Sequence, residues 1–505
     1  MKTIFLMMDS LNRHYLKAYG DTRIPTPNID RLAARGTVFE RHYTGSLPCM
    51  PARREFMTGR YNFLETPWGA VEPWDDCLPV ELKNQKNTYS HLITDHYHYF
   101  HRGGEGYHDL FDSWEFERGQ ESDVWHPLVG DLEIPKHRGR NRKRYWINRS
   151  EMDTERDEDY PTPRCFIKGI EFLKKNGNED NWHLHLEVFD PHEPFMAPKK
   201  YLEKFDDTWD SALHYDWPAY APLTADEGPK EIDHIRKMYA ATLTMADVWL
   251  GKFLDKMDEL DMWKDTTVIF STDHGHLLGE HGYWAKNYMF DYEELVHVPL
   301  IICTPNSAGA PKRVSALTAA IDIMPTIMEM HGAKLPHVVH GRSLVHLLNK
   351  DEPHHDAVLY GFFGKDINMT DGRFTYCRQP LADTTAYSHT LMPTMVIKHA
   401  NKGQVAAAET GMFQAVKNYT REQLQKAETG VFLNHCHNIP HLRIAVPSGK
   451  HVNAPDFNPI YDLSADPFQT RPVHDDALEE KLAAKLKVLM KRYEAPESEF
   501  VRVGL

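Results

Sequence analysis

Three apolar segments of this chain each run directly into an acidic residue or a short polar turn, and that pattern limits the folds open to it. Thr3–Met8 ends at Asp9, residues 183–189 (HLHLEVF) end at Asp190-Pro191-His192-Glu193-Pro194, and Thr267–Ser271 ends at Thr272-Asp273-His274-Gly275. Short apolar runs of this kind read as buried strands. Val298–Cys303 reads as another. Helical patterns lie between them, the longest from Glu231 to Leu260, with Ile235, Met238, Tyr239, Leu243 and Leu250 on its apolar face. Strands alternating with helices predict an α/β fold with a large, mainly parallel central sheet flanked by helices. Sites in such sheets form beyond the carboxyl ends of the strands. The polar residues just past each strand are therefore the first candidates for chemistry.

The rest of the chain fills in the organisation. Thr26-Pro27-Asn28 opens a short helix with Ile29, Leu32 and Ala33 on one face. Gly36 is placed to end it in the left-handed conformation that glycine tolerates. Thr37–Tyr43 reads as extended. Residues 100–165 lack periodicity and hold the one dense basic stretch, His137–Arg149 (HRGRNRKRYWINR). It reads first as a solvated loop or subunit contact, and second as a rim that attracts an anion. After about residue 350 the texture changes to short β-like pieces and loops, closing on an amphipathic helix, Asp475–Tyr493. The expected division is a catalytic unit over 1–350 with an insert at about 65–165, then a smaller α+β unit over 351–505 with an antiparallel sheet and a terminal helix.

Composition excludes several classes. Lys plus Arg is 58 against 73 Asp plus Glu, a net charge of −15, which argues against a nucleic-acid binder. No apolar run is long enough for a spanning helix. The opening MKTIFLMMDS has too short an apolar core for a secretory leader and points to the cytoplasm. Six cysteines (49, 77, 165, 303, 377 and 436) show no CxxC or zinc spacing and read as reduced thiols.

Four polar clusters carry potential chemistry: Asp9-Ser10, Cys49 to Arg53, Asp190-Pro191-His192, and Asp273-His274-Gly275. Each alone has an ordinary explanation as a turn, a helix cap, a buried thiol or a loop histidine. Together, Asp9, Asp273 and His274 supply two carboxylates and an imidazole. That set suits Ca²⁺, Mg²⁺ or Mn²⁺ through oxygen, and Zn²⁺ or Mn²⁺ through the imidazole.

Residues 49–60 (CMPARREFMTGR) fit C-x-P-x-R-x-x-x-x-T-G-R at every fixed position. This stretch resembles the signature of the type I, formylglycine-dependent sulfatases of the alkaline phosphatase superfamily. Pro25–Phe39, Ala246–Gly282, Lys286, Val298–Ile301, Asp322–Thr326, Gly341–Leu344 and Tyr461–Pro467 resemble further parts of that family. The resemblance implies an alkaline-phosphatase-like fold and hydrolysis of a sulfate monoester, on a sulfated sugar or an aryl sulfate. It implies that Cys49 is oxidised to formylglycine by a formylglycine-generating or anaerobic sulfatase-maturating enzyme. In that chemistry the aldehyde hydrates to a geminal diol. One hydroxyl attacks sulfur and displaces the alcohol, and the other then expels sulfate.

Carried over residue by residue, Asp9, Asp273, His274 and position 49 resemble the metal ligands, with Ca²⁺ the first expectation and Mn²⁺, Mg²⁺ or Zn²⁺ as alternatives. Arg53 would stabilise charge on the nucleophile. His192 would contact sulfate and act as general acid, with Lys286 neutralising the transferred group and standing second as acid. Two positions depart from the family pattern. Ser10 stands where many members have a second aspartate, and Thr94 stands where they have a lysine, while His96 is kept for substrate binding. Both departures resemble the phosphonate monoester hydrolase branch, which makes a phosphonate monoester or phosphodiester hydrolase the alternative. An inactive binding protein on the same scaffold is a third reading. The expected partner is a small anionic ester, such as a sulfated saccharide, with no nucleic acid or membrane; a homo-oligomer is left open. Trp68, Trp74, Trp114, Trp125 and Trp146 of the insert serve either a local core or a sugar-binding face.

Overall fold

The computed structural model describes residues 1–505 except 21–22, 102, 211, 306–311, 394 and 397–417. The expected apolar runs form strands. Labelled in chain order, these are β1 (Lys2–Met8), β2 (Thr37–Tyr43), β3 (Tyr89–Thr94), β4 (Ser113–Phe116), β5 (Trp182–Val188), β6 (Thr266–Ser271), β7 (Leu300–Cys303) and β8 (Arg313–Ala319). They make one eight-stranded sheet in the order β8-β2-β7-β6-β1-β5-β3-β4. All neighbours are parallel except at β7, which runs antiparallel to β2 and β6. Residues 65–165, expected as an insert, thus contribute β3 and β4 to one edge of the central sheet.

The sheet is buried on both faces, as alternation along β1 makes plain. Ile4, Leu6 and Met8 enter one core with side chains from α1 (Pro27–Arg35), α3 (Pro161–Asn176) and α4 (Pro229–Glu259). Phe5 and Met7 enter the opposite core, with Phe56 of α2 (Cys49–Thr58) and Met324. Successive side chains of a strand point to opposite faces, so an all-apolar strand needs cover on both.

Gly36 ends α1, but not in the left-handed form expected of it. Its φ of −98° is extended. The requirement is space instead: a Cβ there would sit 2.6 Å from the Ile302 carbonyl oxygen and 2.7 Å from Cys303 Sγ.

A second, five-stranded sheet takes Val358–Phe362, Ile367–Thr370, Phe374–Arg378 and Ile460–Asp462, paired antiparallel, with Ser46–Leu47 added at one edge. Helix α5 (Asp476–Arg492) closes its core through Leu482, Leu486 and Leu489. Because Ser46–Leu47 lies just before Cys49, this sheet fixes the entry to the signature helix. No helix among the described residues is long and apolar enough to cross a membrane.

The basic stretch is not a solvated run. Lys143–Ser150 is a helix with Tyr145, Trp146, Ile147 and Asn148 buried. Arg140 lies over the rings of Trp217 and Tyr220, and Arg149 pairs with Asp216 at 3.0 Å. The tryptophans divide: Trp74 and Trp146 are buried in cores, whereas Trp114 is 43% exposed.

Candidate active site

The site lies beyond the carboxyl ends of β1 and β6. These strands are parallel neighbours, so Asp9 and Asp273 emerge side by side. Ser10 turns the chain at a φ of 61°, and its backbone N–H donates to Asp273 Oδ1 at 3.1 Å. Its hydroxyl donates to Asp9 Oδ1 at 2.9 Å. From α4, the Tyr239 hydroxyl donates to the Ser10 carbonyl and accepts from the Asn12 N–H, pinning the turn. Ser10 thus orients both carboxylates. Gly275 is required by close approach, since a Cβ would lie 1.9 Å from the Glu294 carbonyl oxygen.

Cys49 is the first residue of α2, and Arg53 follows one turn later on the same face. Arg53 is fully buried among three carboxylates: Asp273 Oδ2 at 2.6 Å, Asp9 Oδ2 at 2.9 Å and Glu187 Oε2 at 3.3 Å. The signature's other fixed residues shape the helix. Thr58 Oγ1 donates to the Arg54 carbonyl, and Gly59 caps the helix in the left-handed region at φ 63°. Glu55, at a variable position of the signature, accepts from the Ser46 N–H at 2.6 Å and locks the preceding strand to α2.

Lys286 arrives through a short hairpin, Leu277–Leu278 against Trp284–Ala285. Its Nζ lies 3.2 Å from Cys49 Sγ, 3.1 Å from His274 Nε2 and 3.3 Å from Ser10 Oγ. Cys49 Sγ is 3.3 Å from His274 Nε2. Six of the expected residues (Asp9, Cys49, Arg53, Asp273, His274 and Lys286) therefore form one contact group. His96 and His192 border it. His96 is buried with its Nδ1 3.8 Å from Asp9 Oδ2. His192 Nδ1 contacts the Glu193 carbonyl, while its Nε2 makes no hydrogen bond among the described residues.

Electrostatics follow from burial and these neighbours. Burial would raise the Asp9 carboxyl, but Arg53, then His192 and Lys286, outweigh it and hold it well below the usual range. Burial, then the charge of Asp9, pushes Asp273 up to about 7. Burial, then Lys286, lowers His274 to about 3 and holds His192 well below its ordinary value, so both imidazoles are neutral. Burial opposes the Lys286 charge, but Cys49 and Asp9 outweigh it and raise its pKa. The Cys49 thiol is raised well above the thiol range, by burial first and Asp9 next, so it is protonated.

The donor set fits a divalent cation. One ligand atom each from Asp9, Cys49, Asp273 and His274 lie within 4.8 Å of one another, all buried. His274 Nδ1 donates to the Gly275 carbonyl at 2.8 Å, which leaves the Nε2 lone pair facing the group. The raised Asp273 records repulsion between two buried carboxylates, which a cation would relieve.

Sequence reasoning missed Glu187 and Glu193. Glu187 sits inside the alternating strand β5 and gives no signal there. It accepts from Thr94 Oγ1 at 2.5 Å and from the Tyr99 hydroxyl at 3.0 Å. Thr94 is thus engaged with an acid that also faces Arg53. Asp95 points elsewhere, accepting from the Phe189 N–H at 2.7 Å and Gln120 Nε2 at 3.0 Å.

A family model described as Sulfatase matches residues 2–333. The chain belongs to the sulfatase family. By family it is a sulfuric ester hydrolase with the alkaline-phosphatase-like fold. An uncharacterized sulfatase, YidJ, of Escherichia coli (strain K12) is 25% identical over 358 residues, 68% of this chain and 70% of that protein. Solved sulfatase-fold structures align along the whole length. One, in complex with its substrate D-glucosamine-2-N,6-O-disulfate, is 17% identical with a TM-score of 0.66 and covers 99% of both chains. The phosphonate monoester hydrolase of Agrobacterium radiobacter is 19% identical with a TM-score of 0.65, covering 97% of this chain and 96% of its own.

Proposed function

We propose that this sulfatase hydrolyses a sulfate monoester carried on a saccharide, using a formylglycine derived from Cys49 and one divalent cation. The observation that carries the reading is the convergence on Cys49 Sγ of Lys286 Nζ at 3.2 Å and His274 Nε2 at 3.3 Å, at the edge of the Asp9–Asp273 pair. The buried, protonated thiol is a poor nucleophile as it stands. Its oxidation to an aldehyde supplies, after hydration, one hydroxyl to attack sulfur and a second to release sulfate. Asp9, Asp273, His274 and position 49 would hold the cation, Ca²⁺ by preference for carboxylate oxygen, and the cation supplies Lewis acidity to that hydroxyl.

The chain's own residues do the rest. Arg53 binds Asp9 and Asp273 and fixes the direction of both carboxylates. Lys286 carries a stable positive charge against position 49 and neutralises an incoming sulfuryl oxygen. The Glu193 carbonyl accepts from His192 Nδ1–H, so Nε2 of the neutral imidazole carries the lone pair, and His192 donates to the leaving-group oxygen only when a proton is also placed on Nε2. His192 is neutral, so the positive charge near that oxygen comes from Lys286.

The saccharide preference draws support from the neighbour solved with a disulfated glucosamine. Thr94 favours a second reading. Its hydroxyl serves Glu187 rather than an anion, so the site has one cation fewer than a lysine there would give. That suits a phosphonate monoester or phosphodiester, and a phosphonate monoester hydrolase is among the structural neighbours. Rates on an aryl sulfate, an aryl phosphonate monoester and an aryl phosphodiester separate the two, with the sulfate expected fastest. Mass spectrometry of the peptide spanning residue 49, from active protein, is expected to show the aldehyde. Full sulfate release by Cys49→Ala would disprove the mechanism.

A further inference from the structure

A second group of ligand-type side chains lies away from the candidate active site, and the mechanism does not use it. Asp291, Asp366 and His451 each place a ligand atom within 4.8 Å of the others. All three side chains are buried, at 1%, 0% and 5% exposure, and Asn368 beside them is at 0%. Their hydrogen-bonding capacity is largely unmet. Among the described residues, Asp291 Oδ1, both oxygens of Asp366, Asn368 Oδ1 and both ring nitrogens of His451 have no hydrogen-bond partner. His451 Nε2 lies 2.7 Å from Asp366 Oδ1, an ion-pair contact outside hydrogen-bond geometry, and the imidazole leads the interactions that hold the Asp366 carboxyl below its ordinary value against burial. Among the described residues, no lysine or arginine pairs with either carboxylate.

Buried polar atoms are almost always satisfied. Two buried carboxylates that converge on an imidazole, without a neighbouring cation, are the arrangement that binds one. A comparison within the same chain sharpens the point. Asp322, His354 and His355 also converge. There the carboxylate accepts from the Ala319 and Arg342 N–H groups at 2.8 Å, and His355 bridges Asp322 to Arg342. There Asp322 and His355 are satisfied and His354 Nε2 alone lacks a partner among the described residues, whereas in the Asp291 group both carboxylates and the imidazole have unpartnered atoms.

We propose that Asp291, Asp366 and His451 hold a second divalent cation, which ties the Lys286 loop to the antiparallel sheet. Two oxygen ligands and an imidazole suit Mn²⁺ or Zn²⁺. Asn368 Nδ2 donates to Asp291 Oδ2 at 2.8 Å and orients that carboxylate. The ligands come from three separate segments. Asp291 ends the loop that begins at Lys286. Asp366 immediately precedes the strand Ile367–Thr370, and His451 follows the strand His441–Pro447. Backbone bonds already bring these segments together, with the Val452 N–H donating to the Tyr288 carbonyl at 3.1 Å and the Gly449 N–H to the Gly364 carbonyl at 3.2 Å. The cation locks that junction and so holds the loop that delivers Lys286.

The test is metal content. Chelator-stripped full-length protein is dialysed against Mn²⁺ or Zn²⁺ and its bound metal measured by plasma mass spectrometry. Two equivalents are expected for the wild type and one for Asp366→Asn. Should that variant fail to fold, anomalous diffraction from wild-type crystals grown with Mn²⁺ or Zn²⁺ gives the answer without it. A peak between Asp291, Asp366 and His451 is expected. Its absence with both metals overturns the proposal, whatever the Asp9–Asp273 site holds, as does retention of two equivalents by a folded Asp366→Asn.

Discussion

Replacing Arg53 with Met removes a buried cation while keeping most of its volume. The guanidinium sits 2.6, 2.9 and 3.3 Å from Asp273, Asp9 and Glu187, and the Arg53 side chain and both aspartates are fully buried. At an effective dielectric of about 20, a pair near 3 Å attracts by roughly 5 kcal/mol, and desolvation cancels much of it. Losing one partner of such a buried network costs about 3–5 kcal/mol. The deficit is also pH-dependent. Burial opposes the Asp9 and Glu187 charges, but Arg53 leads the interactions that hold both pKa values below normal. Depressed carboxylates contribute stability above their unfolded pKa of about 4, and lose it as pH falls through the folded values. Asp273, already pushed to about 7 by burial and Asp9, is fully ionised only above that. The variant should therefore be weakest against the wild type at pH 8, and the gap should narrow toward pH 4 as Asp273 protonates, persisting in part because the wild-type Asp9 carboxyl stays ionised there. Urea unfolding of chelator-treated protein, followed by tryptophan fluorescence at both pH values, measures this. An Arg53→Met protein as stable as wild type at pH 8, or equally deficient at both pH values, would refute the argument.

Other consequences are more local. Thr94→Val strips Glu187 of a 2.5 Å hydrogen bond and the His96 N–H of its acceptor, and should lower stability by about 1–3 kcal/mol in denaturant titrations. Gly275→Ala forces a Cβ to within 1.9 Å of the Glu294 carbonyl oxygen, so it should lose bound metal and unfold at lower urea. Asp475→Ala removes the cap that accepts from the Leu478 N–H at 3.0 Å, and should cost about 1 kcal/mol with turnover unchanged.

What was legible in the sequence follows from local geometry. An apolar run ending in an acid marks a buried strand and its exit, and this located Asp9 and Asp273. A spacing of four on a helix puts two side chains on one face, and this placed Arg53 beside Cys49. Helix ends were read to within a few residues, as α4 and α5 illustrate. Gly36 was read correctly as an end but for the wrong reason, because the space it needs is set by β7, some 265 residues later in the chain.

The α/β architecture, the signature helix and the family are all legible along the chain. Periodicity and short spacings are enforced by covalent geometry wherever the chain goes. What surrounds those residues depends on how the strands and loops pack. Glu187 reaches Arg53 because β5 lies beside β1, and Lys286 reaches Cys49 because a hairpin turns back over the sheet. The basic stretch is pinned by Trp217, Tyr220 and Asp216, partners that its own charge pattern does not announce. Asp291, Asp366 and His451 meet across 160 residues of chain. Strand order and loop return set such proximities, and neither is written in the spacing of residues along one chain.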